Sequence, residues 1–91
     1  MKILGFIRVG DKTECGGTVV EGDETAVSHG RAYTFQGARV HCRKHCVIAD
    51  GVARAVLTGG RPRVVHGMKT SGGCVCESTL NDVDGVGSDV V

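Results

Sequence analysis

Val9-Gly10-Asp11-Lys12-Thr13, running on through Glu14-Cys15-Gly16-Gly17, is the stretch whose reading decides the fold, because its pieces recur. Glu21-Gly22-Asp23-Glu24-Thr25 echoes the first part, and Gly67-Met68-Lys69-Thr70-Ser71-Gly72-Gly73 echoes the run from Lys12 to Gly17. Phe35-Gln36-Gly37-Ala38-Arg39-Val40-His41 is matched in the same way by Leu57-Thr58-Gly59-Gly60-Arg61-Pro62-Arg63-Val64-Val65-His66. Each unit reads as strand, glycine turn, strand. A unit this small cannot bury its apolar face alone, so several must wrap around a common axis. Each then brings a polar, ligand-rich turn to the same end of the molecule.

No long segment carries a 3.6-residue apolar period, so helix is nearly absent from the expectation. Short strands are expected at Met1 to Val9, Thr18-Val19-Val20, Ala32 to Val40 with a turn or bulge at Gly37, Val47-Ile48-Ala49, Val52 to Leu57, Arg63 to Val65, and Val75 to Leu80. Asp50-Gly51 is a turn signal. From Asn81 the chain is Asp, Gly, Ser and Val and reads as a frayed tail, giving one domain over 1–82 and a tail over 83–91.

With 91 residues, 15 glycines, 3% aromatic residues and no Trp, the core must be thin. Domains of this kind lean on disulfides, a metal or a partner. A net charge of +1, from 11 basic and 10 acidic residues, with no basic run interleaved with aromatics, argues against nucleic acid. No stretch approaches the ~20 apolar residues of a membrane span. Met1 to Val9 is too short for a secretory signal, so the expectation is a chain that starts in the cytoplasm with reduced thiols. Five cysteines, an odd number, fit a disulfide framework poorly, and metal ligation is the reading preferred for them. In Cys42-Arg43-Lys44-His45-Cys46, the two-residue gap between Cys42 and His45 lets one turn offer two ligands to one ion.

Arg8 to Thr13, Cys15-Gly16-Gly17, Glu21-Gly22-Asp23, Gly37 to Val40 leading into Cys42-Arg43-Lys44-His45, Gly60 to Val64 leading into His66 to Thr70, and a closing strand within Gly73 to Asn81 follow one another in an order that resembles PAAR-repeat proteins, the tip of the type VI secretion spike. The resemblance implies a small cone of short β-hairpins with a zinc ion near its vertex. It further implies a broad base seated on the blunt end of the trimeric valine-glycine-repeat spike protein, and toxins either fused behind the domain or bound to it. Nothing long enough to be a fused toxin follows Leu80, so an effector, if carried, is expected as a separate chain. The implied location is the bacterial cytoplasm before firing, and the target cell or medium afterwards. The chain also departs from the family. Cys15 stands where the family often has His, Gly37-Ala38-Arg39 lacks the family's proline, and Arg61-Pro62-Arg63 lacks its alanines. Gly72 stands where many relatives have Cys, and Cys74 and Cys76 follow two and four residues later.

Zinc takes four thiolate or imidazole ligands in a tetrahedron. The set that follows from the resemblance is Cys15, Cys42 and His45, with Cys76 as the fourth because it anchors the family-like strand Glu77-Ser78-Thr79-Leu80. Cys74 shares that strand face and stays open as the fourth ligand, as does His66. Cys46 reads as a small buried hydrophobe or a replacement for Cys42, His41 as pointing away, and His29 as solvated. Glu14 and Glu77 adjoin the ligands but face the other side of their strands. No Ser-His-Asp order, phosphate loop or oriented Cys-His dyad is present, so no enzyme is expected. Phe6, Ile7, Tyr33 and Phe35 are candidates for the spike contact or for the core, with Phe35 assigned to the core. A self-contained zinc-ribbon-like module is the alternative, although its second turn would need the two-residue gap that Cys74-Val75-Cys76 lacks. An oxidised secreted domain is a further one.

Because structural metal binding is folding energy, a chelator added with reductant should lower the melting temperature sharply. An unchanged melting curve would rule the metal out as a structural element.

Overall fold

The computed structural model describes residues 3–42, 45–57, 59–81 and 83–87. Among these the chain is all-β and contains no helix. Its strands are β1 (Ile3–Gly5), β2 (Lys12–Thr13), β3 (Thr18–Val19), β4 (Asp23–Ser28), β5 (Arg31–Tyr33), β6 (Arg39–His41), β7 (His45–Val47), β8 (Val52–Val56), β9 (Pro62–Arg63), β10 (Cys76–Glu77) and β11 (Gly85–Gly87).

Three turns with the same hydrogen bonding define three units. Gly10, Gly37 and Gly67 sit at φ of 90°, 92° and 92°, a conformation that favours a residue without Cβ. The amides of Asp11, Ala38 and Met68 close the turns onto the carbonyls of Arg8, Phe35 and Val65. The amides of the three glycines donate to the carbonyls of Val19, Ile48 and Cys76, whose own amides donate to Asp11, Ala38 and Met68. The echo seen in the sequence is therefore a repeated backbone motif.

The units close on one another in a triangle of isolated bridges: Phe6 with Val65, Arg8 with Tyr33, and Phe35 with Arg63. Each unit thus bridges the other two. Between the bridging residues lie Ile7, Thr34 and Val64, all fully buried. Ile7 donates its amide to Val64, and Thr34 donates its amide to Ile7. The buried Thr34 hydroxyl donates to the Glu21 carbonyl, which removes the cost of a polar group in the core. On one side of this layer Val19, Ile48 and Cys76 form a second buried layer. On the other, the rings of Phe6 and Tyr33 meet edge to face at 5.3 Å, with the Arg63 guanidinium 5.1 Å and 4.8 Å from their centres. Phe6, Ile7 and Phe35 are all buried and belong to the core, while Tyr33 is half-buried.

The five-stranded sheet has the order β10-β2-β3-β6-β7, and its two outer strands do not end as open edges. Bridges from Ile48 to Thr70 and from Lys69 to Val75 link them, and Ser71 exchanges hydrogen bonds with Val47 through its amide and hydroxyl. The remaining strands form three two-stranded sheets, β4–β5, β8–β9 and β1–β11. The expectation of a frayed tail is corrected here: Gly85–Gly87 pairs in register with Gly5–Ile3 and supplies the third such sheet. β4 also carried no clear signal, since Asp23-Glu24-Thr25 is polar and a register shift interrupts its pairing. Met1 and Lys2 of the first expected strand, and the last four residues of the tail, lie outside the described residues.

Asp84 fastens the third sheet to the second unit. Its carboxylate accepts hydrogen bonds from the Ser28 hydroxyl at 2.7 Å and from the Tyr33 hydroxyl. Burial pushes this carboxyl up, but the Tyr33 and Ser28 hydrogen bonds and the charges of His29 and Arg63 outweigh it and hold it below the ordinary 3.8. A carboxylate with a depressed folded value contributes stability that is complete above 3.8 and is lost as the pH falls through the folded value. Asp84→Asn should therefore destabilise the protein at neutral pH by about 1.5–3 kcal/mol, the range for hydrogen bonds to a charged group. Urea midpoints of the two proteins should converge at strongly acidic pH, and a difference independent of pH would show that the charge is not what holds the sheet.

Candidate functional site

Following the three units outward from the core leads to a ring of small residues and sulfurs. Thr13, Val40 and Thr70 are buried at equivalent places. The Thr13 amide and hydroxyl bond Gly17 just as the Thr70 amide and hydroxyl bond Cys74, and Val40 pairs with Cys46. Gly16 and Gly73 match as well, each at φ of 84° and each donating to its threonine carbonyl. The equivalent positions are thus Cys15, Cys42 and Gly72 on one side of each hairpin, and Gly17, Cys46 and Cys74 on the other. Four of the six carry sulfur.

These four sulfurs are joined in pairs. Cys15 is bonded to Cys74, linking the first unit to the third, and Cys42 is bonded to Cys46 within the hairpin of the second. The two pairs adjoin through the glycines of the ring. A methyl group on Gly72 would lie 3.4 Å from the Cys46 sulfur. One on Gly17 would lie 3.3 Å from Cβ of Cys42 and 2.9 Å from the Thr13 hydroxyl, so Gly17 has no room for a side chain.

The structure thus separates the residues singled out in the sequence. Cys15 and Cys42 lie in the sulfur ring. His45 lies in β7 opposite His41, and the placement of its side chain falls outside the described residues. Cys76 lies in the layer with Val19 and Ile48, and burial, with smaller contributions from the charges of Asp11 and Asp50, pushes its thiol up to about 11. The alternative fourth ligand Cys74 is in the ring, whereas His66 is turned to the Ser78 amide, which donates to its Nδ1 at 3.0 Å. His29 is exposed, with Nδ1 3.0 Å from the Ser28 hydroxyl, and Glu14 accepts from the Val75 amide. Among the described residues, no three His, Cys, Asp or Glu side chains are grouped to hold a metal with the sulfurs paired in this way. The odd cysteine count argued against disulfides, yet four cysteines pair and the fifth is a core residue.

Cys46 is buried, as expected, but it and Cys74 are also disulfide-bonded, which the sequence reading did not anticipate. Setting Lys12-Thr13 over Lys69-Thr70 without a gap places Cys15 over Gly72, Cys74 over Gly17 and Cys76 over Val19. That register separates a ring cysteine from a core cysteine.

The family follows from the same units. A family model described as PAAR motif matches residues 9–78, well over half of the chain. The chain belongs to the PAAR-motif family. No curated protein and no solved structure matches it. Within this PAAR-motif chain the matched span runs from the first glycine turn to just past β10, so it contains all six ring positions.

Alkylation of the oxidised protein after denaturation without reductant should find one thiol, Cys76, and five after reduction. The Cys15–Cys74 bond closes a separation of 59 residues and should contribute about 4 kcal/mol through the unfolded chain. Cys42–Cys46, at a separation of 4, should contribute about 2 kcal/mol. Denaturant unfolding of Cys74→Ser and Cys46→Ser under non-reducing conditions reads both values, and equal losses would contradict the chain-entropy account.

Proposed function

We propose that this chain is the tip of a type VI secretion spike, seated on the blunt end of a trimeric valine-glycine-repeat protein. The observation that carries the reading is the triangular closure of the three units, since an approximately threefold base can meet a threefold trimer without a large mismatch. Each of the three outlying sheets presents an exposed apolar residue: Ile3 at 41%, Val27 at 56% and Val56 at 48% exposure. Family membership favours the same reading, and with it a structural rather than a catalytic role.

In this proposal the cone narrows toward the sulfur end, and the chain waits in the bacterial cytoplasm before it is driven outward with the spike. Zinc at the vertex belongs to the proposal too. Donors from three turns suit it once the sulfurs are reduced, because thiolates are soft ligands. Of the expected set, Cys15 and Cys42 lie in the ring and Cys76 in the core. The zinc-ribbon alternative gives no account of three units that close in a triangle.

Electron microscopy of the protein with a spike trimer should show one chain on each trimer end. Burying a valine contributes about 1.5–3 kcal/mol, so Val27→Asp and Val56→Asp should each weaken capture by about tenfold or more. Their melting temperatures should stay unchanged. Failure of the unmodified protein to bind any spike trimer would overturn the proposal.

A further inference from the structure

We infer that Cys15, Cys42, Cys46 and Cys74 form one redox-gated metal site, holding a single zinc ion as thiolates when reduced and releasing it as two disulfides when oxidised. The inference deepens the zinc reading by naming its ligands and its control, and only the occasion for oxidation, passage out of the cell with the spike, rests on the spike-tip reading.

Position is the first argument. The four sulfurs occupy four of six equivalent places around one end, and the remaining two are glycines, on which an added Cβ would lie 3.3 Å from Cβ of Cys42 (at Gly17) and 3.4 Å from the Cys46 sulfur (at Gly72). Three separate turns therefore bring the donors to the same end of the molecule. The second argument is that the backbone holding them does not depend on the sulfur bonds. The Thr13–Gly17 and Thr70–Cys74 hydrogen bonds and the Val40–Cys46 pairing fix each hairpin in its own right. The same frame can present disulfides or thiolates. The third is ligand choice within β7. Cys46 pairs with buried Val40, whereas His45 holds the adjacent register position opposite exposed His41. Adjacent positions alternate between faces, so Cys46 shares the inner face with Val40 and Cys42. Cys76 is excluded by its layer, one step deeper with Val19 and Ile48.

Four thiolates form the soft, closed donor set that structural zinc prefers. The exchange balances with a small-molecule disulfide as oxidant. Two molecules of it react with the tetrathiolate. With each, a cysteine thiolate attacks one sulfur, breaks the S–S bond and releases one small-molecule thiolate; a second cysteine thiolate then attacks the cysteine sulfur of the mixed disulfide and expels the other. Two cysteine disulfides form, four small-molecule thiolates leave carrying the four electrons, and zinc departs as the dication. A dithiol reverses the sequence.

The test uses the whole chain with zinc alone, so it proceeds whether or not a spike is bound. Reduced protein should bind one zinc per chain and oxidised protein none. Titrating the reduced protein with small-molecule disulfide should release zinc in step with the loss of four thiols. Cys46→Ser and Cys74→Ser should each weaken zinc binding by more than the roughly 10–100-fold that loss of an outer partner of a ligand costs. Cys76→Ala and His45→Ala should leave it unchanged. If a serine variant does not fold, differential alkylation of the unmodified reduced protein gives the answer, with zinc slowing reaction at Cys15, Cys42, Cys46 and Cys74 but not altering it at Cys76. Equal zinc binding by oxidised and reduced protein would overturn the inference. So would protection of Cys76 in place of Cys46 or Cys74, or loss of zinc in His45→Ala with retention in Cys46→Ser.

Discussion

The bridges from Phe6 to Val65, Arg8 to Tyr33 and Phe35 to Arg63 are the constraint on which the rest of the molecule depends. None of the three joins neighbours in sequence, and each is only a bridge, not a ladder. Together they force three short glycine hairpins to share one axis. That shared axis lets Ile7, Thr34 and Val64 bury one another completely. It also stacks Val19, Ile48 and Cys76 beneath them and collects the turn residues at one end. A chain with three aromatic residues has little other apolar volume with which to hold such an arrangement.

The sulfur ring and the core answer the same shortage in different ways. The core buries small β-branched side chains in layers, and small side chains leave each layer thin. At the end where the layers run out, the covalent bond from Cys15 to Cys74 ties the first unit to the third. The bond from Cys42 to Cys46 stiffens the second. Buried Arg8 contributes at the junction with the outlying sheets. Its guanidinium donates to the Ser28 carbonyl and the Thr79 hydroxyl, while the Asp11 carboxylate accepts from both the Arg8 amide and the Arg31 side chain. Buried polar groups with partners of this kind fix orientation where apolar packing is weak.

Repeats were the legible part of the sequence. Gly10, Gly37 and Gly67 punctuate it because positive φ needs glycine, and apolar residues beside them mark the strands. Much of the strand pattern and the all-β class followed from that. β11 was not legible, since Gly85-Val86-Gly87 has almost no side chain with which to announce a strand and pairs only because β1 lies beside it. The pairing of cysteines was hidden for a related reason. Alternation in Cys74-Val75-Cys76 puts both sulfurs on one face, and only the depth of each position along the axis separates a surface ring from a core layer. Depth is a property of the assembled units and cannot be read from a strand alone.

In two of the three units the chain itself links the strands of the outlying sheet, β4 to β5 and β8 to β9. In the third, β11 and β1 meet without such a link. The fold is thus a nearly cyclic object cut at one seam. The position of the cut is a matter of chain connectivity and not of packing, so the same architecture admits circular permutation. A linker across β11 and β1, with a new opening in the β4–β5 or β8–β9 turn, would preserve every layer and move both ends of the chain to a different side of the triangle.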